Sequence, residues 1–255
     1  MFLQSSLIAK IKRAAILGRT FQMSHGPAMP RRDSAFLFDL DGTLVDSVYQ
    51  HVLAWKEALD SEGIDLSVWR IHRRIGMSGG LFTRMLLRET GQEISEERRT
   101  RLYDAHAAAF NRQHAQGAVK PLPGARELLA YLSAAEIPWA IATSGQLRTA
   151  RHNLEALGVD PAKVPVVTRD QVRHAKPDPD LFLAAAERLG VDITRAMVVG
   201  DSVWDMLAAQ RARALGIGLL SGGYGEEELA RSGAFRVYED PADMLKRIDE
   251  VAARA

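Results

Sequence analysis

Apolar residues along this chain follow two different periods. Ala35-Phe36-Leu37-Phe38 is a short continuous apolar run that ends at Asp39, the pattern of a strand buried on both faces of a parallel sheet. From about 47 to 61 the spacing turns helical, with Val48, Val52, Trp55, Ala58 and Leu59 on one stripe. Between about 66 and 116 no strand pattern occurs. Leu81, Met85 and Leu86, then Leu102, Ala105, Ala109 and Phe110, recur at helical intervals, which predicts two or three helices.

After Pro121-Leu122-Pro123-Gly124 the two periods alternate. They predict a helix near 124–135, a strand at 137–142, a helix at 146–157 ending at Gly158, and a short strand at 164–167. A helix at 178–189 ending at Gly190, a strand at 196–200, a helix at 203–214, a strand at 216–220 and a last helix at about 241–253 follow. Repeated strand–helix units predict an α/β fold, a doubly wound parallel sheet with right-handed crossovers. The block 48–120 is too long for a simple crossover and is expected to be an inserted helical cap on a core formed by 34–47 and 121–255. There is no internal repeat.

Length and composition fit this picture. With 255 residues, 47% apolar and 25% charged, the chain suits one large domain or one domain with an insertion. The net charge of +1 and the lack of a long basic run in the body predict no nucleic-acid partner. The absence of cysteine excludes disulfides, thiolate ligands and a cysteine nucleophile, and fits a reducing, cytoplasmic setting. No apolar run approaches the roughly 18 residues that span a bilayer, so no membrane partner is expected. Residues 1–33 are basic, with no acid before Asp33. That composition suits a targeting or membrane-surface helix, but a disordered or mis-started leader, with Met23 or Met29 as the start, is the favoured expectation.

Sites in parallel α/β sheets form at the carboxyl ends of strands. Here the first strand runs into Asp39-Leu40-Asp41-Gly42-Thr43-Leu44-Val45-Asp46-Ser47, the second into Thr143-Ser144-Gly145, and the fourth into Asp201-Ser202-Val203-Trp204-Asp205. Lys176 follows the third, in His174-Ala175-Lys176-Pro177-Asp178. Asp39 and Asp41, two apart, point the same way in extended chain. Four carboxylates in one crevice repel: two anions about 4 Å apart cost roughly 4 kcal/mol at an effective dielectric of 20. They call for a cation, and an oxygen-only donor set suits Mg²⁺. Lys176 and the Thr143 hydroxyl then suit an anion, with phosphate the first choice. Asp39 attacking phosphorus would give an aspartyl-phosphate, and Asp41 would serve as acid and then base. Individually these residues have ordinary readings. Asp-Gly is a turn signal, Thr143 or Ser144 can cap a helix, and Asp205 suits a first helical turn. Their joint placement favours the site.

These motifs resemble those of the haloacid dehalogenase superfamily, in the branch with a helical cap between the first and second motifs, over about residues 34–240. The segment 39–47 carries the most specific likeness. The resemblance implies a Rossmann-like core and a phosphoglycolate phosphatase-like or β-phosphoglucomutase-like enzyme. It implies Asp39 as nucleophile and metal ligand, and Asp41 as acid/base with its carbonyl on the metal. It also implies that Thr143 and Lys176 contact the phosphoryl group and that Asp201 and Asp205 are metal ligands. Gly42, Thr43, Ser144 and Gly145 are expected beside the phosphate. Asp41 argues against a dehalogenase, which lacks it, and the absence of lysine between Lys56 and Lys120 argues against phosphonate cleavage. Ala175, where glycine is frequent, and Ser144-Gly145, where asparagine often occurs, depart from the common pattern.

In the cap, Arg73, Arg74 and Ser78 in a glycine-bearing loop are expected either to contact the leaving group or to be solvated. Asp46 and Ser47 are expected to cap the first helix, Trp55 to be core, the histidines to be surface or packing residues, and Gly222–Gly225 to be a loop after the last core strand. The functional expectation is a phosphatase of a small phosphorylated metabolite, monomeric or weakly dimeric. A sugar phosphomutase is the second reading, and a catalytically silent binding protein the third.

Overall fold

A computed structural model describes residues 34–77, 79–91, 95–117 and 119–252. The expectations for 1–33 and for Ser78 lie outside the described residues. Six parallel strands form the main sheet in the order β5-β4-β1-β6-β7-β8: β1 (Ala35–Phe38), β4 (Trp139–Ala142), β5 (Val166–Val167), β6 (Ala196–Gly200), β7 (Leu215–Leu219) and β8 (Ala234–Tyr238). Both faces of β1 are buried, as its continuous apolar run requires. Phe36 and Phe38 enter one apolar cluster and Leu37 the other, and β6 divides likewise, with Met197 and Val199 opposite Ala196 and Val198.

Helices α5 (Ala125–Ala134), α6 (Leu147–Leu157) and α10 (Pro241–Lys246) supply the first cluster with Leu128, Leu132, Leu154 and Met244. Helices α7 (Asp180–Leu189) and α8 (Val203–Ala212) supply the second with Leu181, Phe182, Ala185, Ala208 and Ala209. The sheet is therefore doubly wound, as the alternating periods predict.

Two short strands, β2 (Val45–Asp46) and β3 (Lys120–Pro121), pair antiparallel and bring the two ends of an insertion side by side. Between them lie α1 (Val48–Ser61), α2 (Val68–His72), α3 (Gly79–Thr90) and α4 (Glu96–Ala115). These helices share their own cluster, built on Val52, Trp55, Leu59, Ile71, Phe82, Leu86 and Leu102. Trp55 is core here, as its stripe predicts.

Besides β2 and β3, the sequence pattern misses three features. β8 and α9 (Glu226–Arg231) follow the strand taken as last, so Gly222–Gly225 links β7 to α9. The expected final helix is two pieces, α10 and α11 (Asp249–Ala252).

Candidate active site

β4, β1 and β6 are neighbours, so their carboxyl ends place Thr143, Asp39 and Asp201 in a row. The ladder continues past the strands: the Asp39 N–H donates to the Val199 carbonyl and the Thr143 N–H to the Val167 carbonyl, both at 2.9 Å. Beyond Asp39 the chain folds tightly. Leu44 and Val45 N–H groups reach the Leu40 carbonyl at 2.9 and 3.1 Å, and Gly42 has φ +86°. A Cβ there would meet Asp201 Oδ2 at 2.5 Å, so only glycine lets this turn pass the second acid.

Asp39, Asp201 and Asp205 are all buried, and each offers a carboxylate oxygen within 4.8 Å of the others. Lys176, fully buried, donates to Asp39 Oδ1 and lies 2.7 Å from Asp205 Oδ1. The Thr43 hydroxyl donates to Asp201 Oδ1 at 3.0 Å. Ser202 gives Asp205 Oδ2 its N–H at 3.2 Å and its hydroxyl at 2.5 Å. Asp205 thus closes a capping box on α8 and faces the acid cluster at once.

Burial pushes the Asp39 carboxyl up to about 7 despite Lys176, with Asp205 and Asp41 adding repulsion. Asp201 is raised well above the ordinary carboxylate range by burial and then by Asp205 and Asp39. Burial alone would lower Lys176, yet Asp205 and Asp39 outweigh it and hold the ammonium charged. Three buried carboxylates around one ammonium leave negative charge in excess. An all-oxygen cluster in that state fits a hard divalent cation.

Asp41 is wired differently. Its Oδ1 accepts from the Ser47 hydroxyl at 2.7 Å and from Asn153 Nδ2 at 2.7 Å, and His51 Nε2 lies 3.2 Å away. Burial would raise its pKa, but His51, Ser47 and Lys176 together lower it. Ser47 was expected to cap α1, but its side chain makes no cap bond and serves Asp41. His51 and Asn153 are functional candidates that the sequence reading did not single out. His51 is stacked 4.0 Å from Phe110 and meets buried His106 at 3.1 Å. Asn153 carries a visible signal: it is a polar residue inside the apolar stripe Ala150, Leu154, Leu157 of α6.

A cavity of about 370 Å³ opens between the sheet end and the helical insertion. Asp39, Asp41, Thr143, Ser144 and Gly145 form its floor, and His51, Trp55, Arg74, Phe82 and Tyr103 line its helical side. The Thr143 hydroxyl accepts from the Gly145 N–H at 3.0 Å. The Ser144 hydroxyl is buried without a partner among the described residues.

Gly42 and Thr43 sit behind the acids and do not line this cavity. Arg74 lines it, buried and paired with Glu89. Arg73 is not in the lining. It pairs with Glu228 and lies over the Tyr224 ring at 4.2 Å, while its carbonyl accepts from Tyr224 at 3.1 Å and Trp204 at 3.3 Å. The two adjacent arginines leave the helix end on opposite sides, so one faces the cavity and the other docks the insertion onto the core.

An α/β fold with a buried acid–lysine cluster at its strand ends and a helical insertion over it defines a class of hydrolase. Residues 34–213 match the haloacid dehalogenase-like hydrolases, and this chain belongs to that family. It is 31% identical over 214 residues to a phosphoglycolate phosphatase of Rhodospirillum rubrum, covering 82% of this chain and 88% of that one. It is 34% identical over 183 residues to hexitol phosphatase A of Escherichia coli K12, covering 71% and 80%. A hydrolase from Pseudomonas syringae of known structure superposes with a TM-score of 0.83 at 57% identity, over 85% of this chain and 98% of that one. The expected phosphoric monoester hydrolase class agrees with the names of both curated relatives. No helix among the described residues is long and apolar enough to cross a membrane.

Proposed function

We propose that this protein is a Mg²⁺-dependent phosphatase of small phosphorylated metabolites that works through an aspartyl-phosphate on Asp39. The observation that carries the reading is the convergence of Asp39, Lys176, Asp201 and Asp205, all buried, beneath one cavity. Residues 34–47 and 121–255 serve as catalytic core and 48–120 as a cap. Asp39, Asp201 and Asp205 would hold the ion through carboxylates and Asp41 through its carbonyl. Bound Mg²⁺ offsets the repulsion between the anionic ester and the acids.

A carboxylate oxygen of Asp39 bonds to phosphorus as the ester P–O bond breaks, and the electron pair leaves on the alkoxide oxygen. Asp41 supplies the proton. Its Oδ1 is occupied by Ser47, Asn153 and His51, so the proton travels on Oδ2, the oxygen on the Gly145 side. Asp41 rests ionised. The anionic ester raises its pKa on binding, because a nearby like charge disfavours the carboxylate. Water then attacks the phosphoryl group, Asp41 takes its proton, and phosphate leaves. Thr143 and Ser144 hydroxyls hold the phosphoryl oxygens, and Lys176 neutralises Asp39 during attack.

Phosphate release from a panel of phosphorylated acids, polyols and sugars is the direct test. Release with Mg²⁺ and none with EDTA is the expected result. Isomerisation of a glucose phosphate without release would favour the mutase, and folded protein that binds no Mg²⁺ would end both readings.

A second expectation concerns Gly222. A Cβ there would lie 1.8 Å from Asp201 Oδ2. Gly222→Ala must therefore displace Asp201, and Mg²⁺ affinity should fall by about 10- to 100-fold, the usual loss when support of a metal ligand is disturbed. Calorimetric titration of Mg²⁺ reads this directly, and unchanged affinity would remove Asp201 from the ligand set.

A further inference from the structure

The cavity lining beside Gly145, whose carbonyl accepts the Arg169 N–H at 3.0 Å, carries a charge that the proposed phosphoryl chemistry does not use. Arg169, just after β5, lines the cavity and is half-buried. Its Nη1 donates to the Val172 carbonyl at 3.1 Å, and among the described residues no carboxylate pairs with it. The next acid, Asp170, also reaches the lining, but its Oδ2 is engaged by the Leu147 N–H at the start of α6 at 3.2 Å.

Across the rim stands α4, with Arg99 and Tyr103 in the same lining. Among the described residues Arg99 pairs only with Glu96, one turn earlier on its own helix, in a pair whose side chains are 40% and 74% exposed. Such pairs are worth a few tenths of a kcal/mol and exchange readily for a better anion. The Tyr103 hydroxyl has no protein partner among the described residues. Burial pushes its pKa up to about 12, while Arg99 and Arg169, in the same lining, oppose the rise. Arg148 of α6 meets Asp104 of α4 at 3.0 Å at this rim. A cation from the core and one from the insertion therefore share this lining with a phenol donor, and among the described residues no carboxylate pairs with the core cation.

We infer that Arg169, Arg99 and Tyr103 form a subsite for a second anionic group, a carboxylate or phosphate, carried on the leaving group of the substrate. This rests on the phosphatase reading and narrows its substrate class to phosphate esters of acids over those of neutral polyols and sugars. Because the subsite joins core to insertion, the second anion also holds the cavity closed over the reacting phosphate.

The test compares 6-phosphogluconate with glucitol 6-phosphate, two open six-carbon esters that differ by a carboxylate against a hydroxymethyl group. The wild-type protein should favour the acid by about 10- to 100-fold in kcat/KM, the range of hydrogen bonds to charged groups. Arg169→Gln should bring that ratio close to one, Arg99→Gln should reduce it, and Arg169→Lys should restore part of it. A wild-type ratio near one, or equal loss for both esters in Arg169→Gln, overturns the subsite. Release from p-nitrophenyl phosphate by the same preparations reports on the phosphatase reading alone. Should no ester turn over, that reading falls, and thermal shifts judge the subsite. 6-Phosphogluconate must then stabilise the wild type more than glucitol 6-phosphate does, and lose that advantage in Arg169→Gln; equal shifts overturn it.

Discussion

Asp39→Asn is expected to abolish phosphate release, a fall of about 10⁴-fold or more in kcat, and yet to make the metal-free protein more stable. The first effect follows from the role proposed for Asp39, since an amide cannot form the acyl phosphate. The second follows from charge. Asp39, Asp201 and Asp205 are buried around one ammonium, and burial raises the Asp39 carboxyl from 3.8 to about 7. An acid with a raised folded-state pKa binds more protons folded than unfolded across that window. The contribution of Asp39 to metal-free stability should therefore be greatest below about pH 4 and decline as pH rises towards 7. Asparagine removes that slope. At pH 7 the variant should melt a few degrees higher than the wild type in EDTA, since 1 kcal/mol is roughly 2–4 °C in a chain of this size. Excess Mg²⁺ should narrow or reverse the difference, because the wild type has one more carboxylate for the ion. Melting curves in EDTA and in Mg²⁺, at pH 5 and pH 7, decide the matter. A less stable variant in EDTA would mean that the Lys176–Asp39 pair outweighs the repulsion.

The parts of this site that sequence makes legible are those fixed by one strand end. Asp39, Thr143 and Asp201 each follow a largely buried apolar run, and a parallel sheet brings such ends together whatever the loops do. Lys176 lies in a longer loop, and its position is readable only through the motif. His51 and Asn153 are different. They reach Asp41 because the helical insertion folds back and α6 turns its buried face inward, relations of tertiary packing that no local period encodes. Both still leave a trace, since each is a polar residue beside an apolar stripe. The missed elements have local reasons. β8 is an edge strand whose Ala-Phe-Arg-Val-Tyr run puts the exposed Arg236 at its centre, so it lacks the continuous apolar signature of β1 or β6. β2 and β3 are two residues each, too short for any period. Arg73 and Arg74 share a sequence environment but face different partners, and only the packed insertion separates them.

Lys176→Met tests the same charge balance from the other side. Methionine keeps much of the lysine stem's volume and removes the only cation paired with the acid cluster among the described residues, a residue with no exposed surface. Asp39 Oδ1 and Asp205 Oδ1 both lose their ammonium partner, and three buried carboxylates then face one another uncompensated. Breaking one side of a buried ion pair costs about 3–5 kcal/mol, so the metal-free variant should melt about 10 °C lower at pH 7. Three controls separate charge from packing. The deficit should shrink towards pH 5, where the raised acids take up protons. It should shrink in saturating Mg²⁺, which supplies positive charge to the same oxygens. Adding Asp205→Asn should restore metal-free stability without restoring turnover, because the nucleophile would still lack its neutralising ammonium. Added monovalent salt should do little, since screening acts weakly on buried charges. A deficit that ignores pH, Mg²⁺ and the second substitution would assign Lys176 to packing, against its buried Cε–Nζ reach to two acids, and would leave the raised Asp39 without the counterbalance on which the proposed attack depends.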